Sequence, residues 1–384
     1  MTDRPAGGPL RWTFVLPGLR RPSGGQFAAY ELANALSVTD HVHIVYLPTS
    51  ESRLRSTADL PWFTFRPEVA HSFPSRVDLR ELPESDLVLH TVMTVDLCLS
   101  AVEDAGAAAL FSHLQGEAAG PGGLPILLVQ ALGVFPEATE MRALAATGPK
   151  ACVASWIARN LVAGGVPTDE AVPIVNGVEH RTFHVIRSIA DRPAGIAMNH
   201  NPHPLKNMGA GIEALERVDR ETGVPTTLFG ARAPARPLRG HMRFVDSPRQ
   251  SEVAQHILAA ASVYLQPSTQ EGFGLCALEA MACGCALVTT DNGGSEDYAV
   301  DGETAVVCET EPGAMAEAVV SLLHDDARRV RLATEGAERA KSFTWSAGAE
   351  RLRELGVAYL ADPDALRRGA PARLDPSVRW LDRG

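Results

Sequence analysis

The sequence predicts an α/β protein built as two doubly wound domains, and three observations carry that prediction. Its 384 residues exceed what one ordinary core accommodates and suit two domains of about 150–200 residues each. Short apolar runs alternate with helix-period patterns, as in successive βαβ units. That alternation starts twice, at residues 13–16 and again at residues 195–198. A hydrophobic share of 45% with 21% charged residues fits a globular chain with sizeable cores. The net charge of −11 argues against a general nucleic-acid binder, which needs a basic face, but leaves room for a local phosphate site.

In the first half, residues 13–16 read as a strand, 17–25 as a Gly/Pro/Ser loop, and Phe27, Tyr30, Leu32, Ala35 and Leu36 as one helix face. A second strand follows at 42–47. The loop glycines lack the G-x-G-x-x-G spacing, so a dinucleotide site is not expected. Residues 51–80 interleave Arg53, Arg55 and Arg66 with Trp62, Phe63 and Phe65. Such a mixture can meet an acceptor or a membrane surface, but it shows no helical moment, and a covered strand with solvated flanks is the expectation. Further strands are predicted at 86–90 and 108–113, with a helix over 94–103 between them. The loop 112–117, S-H-L-Q-G-E, then lies at a strand's carboxyl end, where doubly wound folds place ligands. His113, Gln115 and Glu117 become candidates on that ground. Apolar runs at 150–154 and 171–175 flank a helix expected to be capped by Ser155. Periodicity fades over 181–193, which puts the domain boundary near 180–192 and ends the first domain at 185.

The second half restarts with a strand at 195–198, a loop running to Lys206 and Asn207, and a helix to about 221. A lysine at such a loop–helix junction suits a diphosphate, since it adds a point charge to helix N–H groups. Strands at 226–229 and 242–245 precede a helix over 251–261, with Ser251 or Ser247 expected as its cap. Between Arg217 and Arg249 stand seven Arg against three acids; Arg232, Arg236 and Arg239 among them are expected to be solvated loop charges. Helices follow at about 313–323 and 326–341, then a last one to Leu360. Residues 362–384 read as a Pro/Arg/Asp-rich tail in which Trp380 could dock.

Residues 262–290 hold the densest chemistry: strand, loop, helix, strand. Glu271 falls at the mouth of the helix and Glu279 about two turns on. A helix starting beyond a strand directs unpaired N–H groups and a positive dipole end outward, where an anion can sit. Gly272 and Gly274 let backbone approach a bulky ligand. A carboxylate in that place repels a bare phosphate, so Glu271 is better matched to paired sugar hydroxyls.

The run E-G-F-G-L-C-A-L-E at 271–279 resembles the Glu-x7-Glu signature of retaining glycosyltransferases of the GT-B fold, family 4 type. M-A-C-G-C-A-L-V-T-T and D-N-G-G-S-E-D-Y-A-V-D-G-E-T-A look like that family's continuation, and I-V-N-G-V-E at 174–179 like the end of its first domain. The resemblance implies two Rossmann-like domains facing across a cleft. The first, acceptor-side domain (1–185) would regain the last helix, about 345–361. The second (186–344) would bind the nucleotide sugar. It also implies transfer of a hexose or deoxyhexose, with retention, from a nucleotide-diphosphate sugar to a hydroxyl on a glycan, lipid carrier or small molecule. Glu271 would contact the transferred sugar and Glu279 the donor ribose. Lys206 and the backbone of Gly272, Phe273, Gly274 and Leu275 would meet the diphosphate, as would Gly24 and Gly25 from the first domain.

Rhamnosyltransferase-like members look most similar, because Gln115 stands as in their Gln-x-x-Glu loop, with Glu117 shifted by one. Other members place a His near His113. The chain departs from the family at Asn201, where an Arg is usual; an amide donates one neutral bond in place of a bidentate charged pair. That departure keeps a catalytically silent partner protein open as an alternative, beside an epimerase or phosphorylase on the same fold. Nothing in the sequence resembles the Asp-x-Asp metal site of the other large glycosyltransferase fold, so metal-independent chemistry without a cofactor is expected. The six cysteines show neither a disulfide framework nor a completed metal set, and Cys283 and Cys285 are expected as buried thiols. The N-terminus lacks a sustained apolar segment, and a cytoplasmic setting with at most peripheral membrane contact follows. The oligomeric state is left open.

Overall fold

The computed structural model describes residues 8–21 and 23–367, so the tail from 368 onward, with Trp380, lies outside the described residues. The chain divides into two compact units: residues up to Val175 together with those from Trp345 onward, and Asn176–Thr344. The first division falls ten residues before the expected one. Within the second unit Val178 N–H bonds to Phe343 O at 3.1 Å, which ties the start of that unit to its end.

The first unit carries a seven-stranded parallel sheet. Its strands are β1 (Arg11–Pro17), β2 (His41–Leu47), β3 (Ala70–Ser72), β4 (Leu87–Thr91), β5 (Leu124–Val129), β6 (Lys150–Cys152) and β7 (Ala171–Pro173). They run in the order β3-β2-β1-β4-β5-β6-β7, so the winding direction reverses between β1 and β4. The near-continuous burial of β1, β4 and β5 is what a parallel sheet covered on both faces requires. Its helices are α1 (Gly24–Leu36), α2 (Val92–Ser100), α3 (Ala105–Leu114), α4 (Glu137–Leu144) and α5 (Ser155–Ala163).

The second unit carries a six-stranded parallel sheet. It contains β8 (Ile196–Asn199), β9 (Thr226–Gly230), β10 (Met242–Asp246), β11 (Val263–Gln266), β12 (Ala286–Thr290) and β13 (Ala305–Cys308), ordered β10-β9-β8-β11-β12-β13. Here the reversal lies between β8 and β11. Between and after the strands come α6 (Met208–Thr222), α7 (Gln250–Glu252, continuing as a π turn over Val253–Ile257), α8 (Leu275–Ala282), α9 (Pro312–His324) and α10 (Asp326–Ala340). The last helix, α11 (Trp345–Ala361), belongs to the first unit. There Arg353 Nε donates to buried Asp40 at 3.1 Å, and the same carboxylate accepts from the Trp12 ring N–H on β1.

Four local expectations change. Residues 108–113 are helix, not strand: Asp104 caps α3 by accepting from Gly106 and Ala107 N–H, and the strand of this unit is β5. Within residues 51–80 the strand is β3, Ala70–Ser72, beyond the aromatic run, and it is only partly covered. Tyr30 instead gathers Trp62, Phe63 and Phe65 at centroid distances of 4.9–5.7 Å, and Trp62 Nε1 donates to Arg20 O. Ser155 is the first helical residue of α5, after Ala154 at the cap position. Arg249, not Ser251 or Ser247, occupies the cap of α7; Ser247 sits in the left-handed region, with φ 46°.

Candidate functional site

The two carboxyl strand ends that flank the reversal in the second sheet bring Lys206 and Glu271 together. β8 ends at Asn199, and its connection reaches a 3-10 turn, Pro204–Lys206, before α6 begins. β11 ends at Gln266, and its connection carries Glu271 to the start of α8. Because β8 and β11 are parallel neighbours, both connections emerge on one side, in the crevice where open α/β sheets hold ligands. Lys206 Nζ donates to Glu271 Oε2 at 2.6 Å.

Glu271 is buried, and its geometry is fixed from several sides. Oε1 accepts from Gln266 Nε2 at 2.6 Å and from Ser268 Oγ at 2.7 Å. Its backbone N–H donates to Asn292 O at 3.0 Å, and Thr290 Oγ donates to Ser268 O. Asn292 is held in turn, donating to Thr289 Oγ and accepting from Ser295 N–H and Oγ. An unpaired buried carboxylate costs several kcal/mol; here two neutral donors and the Lys206 side chain compensate the burial.

Gly274, at φ 85°, turns the chain into α8. A Cβ there would stand 2.5 Å from the hydroxyl of Tyr298, which donates to the carbonyls of Phe273 and Gly274. The first turn of α8 is thereby clamped, and its leading N–H groups form an anion-favouring tip. Glu279 lies half-buried two turns along. Asn201 is exposed, and its side-chain oxygen accepts from His203 N–H at 3.1 Å. Arg236 pairs with Glu216, and the Arg232 carbonyl bonds to the His200 ring at 2.8 Å.

In the first unit, Ser23 caps α1, and Gly24 and Gly25 form its first two residues. Gln130, the residue after β5, donates its amide N–H to Gly25 O, and a Cβ on Gly25 would meet Gln130 Oε1 at 2.8 Å.

His113, Gln115 and Glu117 do not join either carboxyl edge. They sit at the end of α3, on the connection that leads into the amino end of β5. Gln115 O accepts from Thr147, which precedes β6. His113 is buried, with Nδ1 bonded to Ala118 O at 3.0 Å, and burial holds its ring below the usual histidine range. Glu117 accepts from Ser112 Oγ. The reason is the helix at 105–114: it moves the loop to the opposite end of the sheet from the ligand edge. The residues that sequence reading missed are Gln266, Ser268, Asn292 and Tyr298 around Glu271, and Gln130 beside Gly25. Gln266 and Ser268 lie within the stretch 262–290, and Asn292 and Tyr298 within the quoted D-N-G-G-S-E-D-Y run, but no periodicity assigns them partners.

Cys283 and Cys285 are buried free thiols. Among the described residues no group of three or more His, Cys, Asp or Glu is placed to hold a metal, and no helix is long and apolar enough to cross a membrane.

Residues 226–339, within the second unit, match the family described as glycosyl transferases group 1. D-inositol 3-phosphate glycosyltransferase of Corynebacterium efficiens is 36% identical over 141 residues, which is 36% of this chain and 32% of that protein. The Corynebacterium diphtheriae protein of the same name is 40% identical over 123 residues, covering 32% and 29%. The chain thus spans about a third of the length of the curated relatives it matches. Among solved structures, sucrose-phosphate synthase from Thermosynechococcus elongatus superposes with a TM-score of 0.66 at 18% identity, over 92% of this chain and 99% of that one. Anabaena HepE in complex with UDP gives 0.68 at 14% identity, over 90% and 99%. These neighbours share the fold, two Rossmann-like parallel-sheet domains of the GT-B type.

Proposed function

We propose that this protein is a retaining glycosyltransferase that moves a hexose or deoxyhexose from a nucleotide-diphosphate sugar to a hydroxyl acceptor, without a metal. The observation that carries the reading is the Lys206–Glu271 pair, 2.6 Å apart at the reversal point of the second sheet and next to the clamped start of α8. Transfer from such a donor develops negative charge on the leaving diphosphate and positive charge at the anomeric carbon. Lys206 and the N–H groups at Gly272–Leu275 would stabilise the first, and Glu271 would orient the sugar and partly balance the second. Glu279 would hold the donor ribose, and Gly24 and Gly25 would add backbone N–H groups toward the phosphates. With retention, the departing phosphate oxygen takes the acceptor proton, so no side-chain base is needed. The group 1 match over 226–339 and the names of the relatives support the class of reaction.

Incubation with a panel of nucleotide sugars and simple hydroxyl acceptors tests this. Release of nucleoside diphosphate, a product with the donor's anomeric configuration, and indifference to EDTA are expected. Glu271→Gln should lower kcat by about 10²–10³-fold in a chain that still folds, with a lower Tm from the lost Lys206 pair. Inversion of configuration, or full activity in the variant, would overturn the assignment.

A further inference from the structure

A second buried carboxyl stands close to the carboxyl edge of the first sheet. Glu140 on α4 is 4% exposed, and both its oxygens accept the N–H of Gly133, at 3.0 and 2.8 Å. Gly133 lies in the connection between β5 and α4, at φ 70°. Burial pushes the Glu140 carboxyl up to about 7, against the pull of the Gly133 N–H. Among the described residues no charged side chain acts on it beside that N–H; nearby along the chain, Thr139 Oγ donates to Asp96 of α2 at 3.3 Å, and Glu137 and Arg142 stand in the first and last turns of α4. The Arg142 guanidinium lies 5.0 Å over the Phe111 ring of α3. The other end of the same connection is Gln130, bonded to Gly25 O. Residues 130–136 are therefore pinned at two points, one on the Gly24–Gly25 turn and one on Glu140.

We propose that Glu140 is a positioning residue whose ionised carboxylate, through Gly133, sets the connection after β5 and so holds Gln130 against the Gly24–Gly25 turn. The inference rests on the reading that this turn meets the donor phosphates. An ionised carboxylate accepts a charge-assisted bond from Gly133; the protonated group accepts more weakly and carries a hydroxyl that needs its own acceptor. Ionisation tightens the connection and protonation loosens it.

The test uses the full chain and the variant Glu140→Gln, which keeps the shape but stays neutral at all pH. Amide exchange of residues 130–136, corrected for its intrinsic pH dependence, is measured at pH 6 and 8. KM and kcat are measured at the same pH values for whichever nucleotide sugar of the panel turns over. In the unaltered protein, protection should be severalfold higher, and KM severalfold lower, at pH 8 than at pH 6, with kcat changing less. The variant should show the low-pH behaviour at both. A variant as protected at pH 8 as the unaltered chain would overturn the proposal. If no nucleotide sugar turns over, the exchange result still decides the role of Glu140, and the failure falls on the functional reading.

Discussion

Glu271 and Glu140 are both buried carboxyls near the carboxyl edge of a parallel sheet, one in each unit, yet they are compensated in opposite ways. Glu271 meets an ammonium and two neutral donors on its two oxygens. Glu140 meets one backbone N–H. The contrast shows what a fold does with a desolvated charge. Several donors that hold one another in place fix a carboxylate in one geometry, fit to orient a substrate. A single N–H leaves a group whose ionisation is decided near neutral pH.

The same contrast holds for the glycines at the two helix starts, and it can be broken there first. Gly274→Ala forces a left-handed residue, costing about 1–2 kcal/mol, and drives its Cβ into Tyr298, so a total loss of about 2–4 kcal/mol is expected in urea unfolding. Gly24→Ala meets open space and should change stability by less than about 0.5 kcal/mol. Equal losses at both would erase the distinction between a clamped helix start and an open one.

The carboxyl contrast is sharpened by pH. Glu140 is raised in the folded state from an ordinary value of 4.5 to about 7. The folded protein therefore holds this proton more tightly, a stabilisation fully present below pH 4.5 and lost as pH rises through 7. At pH 8 burying the charge costs at most about 3 kcal/mol. Glu140→Gln should thus be more stable than the unaltered chain by about 1–3 kcal/mol at pH 8, and close to it at pH 4. Melting temperatures across that range check it; parallel curves would mean that Glu140 titrates as an exposed carboxyl.

Much of the second unit is legible in the sequence. Lys206 before α6 and Glu271 before α8 each follow a strand, and strand, loop and helix are marked by apolar runs and glycines. Their meeting was not legible, because it depends on β8 and β11 being neighbours, which the strand order decides and no local pattern encodes. In the first unit the stretch A-A-A-L-F-S-H is short and apolar throughout, so periodicity could not separate buried helix from strand. Asp104 ahead of it was the usable signal, as a cap that favours a helix. Read as a strand, that element takes the place of β5 and Gln130 and brings His113 and Glu117 to a ligand edge they do not share. The aromatic run 62–65 misled for another reason: rings that cluster around Tyr30 need no regular backbone.

The most direct test of the central claim is the binding of UDP, GDP, dTDP and ADP to the unaltered chain and to Lys206→Ala, followed by thermal shift and calorimetry. At least one diphosphate should raise the Tm of the unaltered chain, by about 2.7 kcal/mol of stabilisation at a hundredfold excess over Kd, and Lys206→Ala should weaken that binding tenfold or more. Equal affinity in the variant, or no binding by any of the four, would contradict a diphosphate site at the Lys206–Glu271 pair.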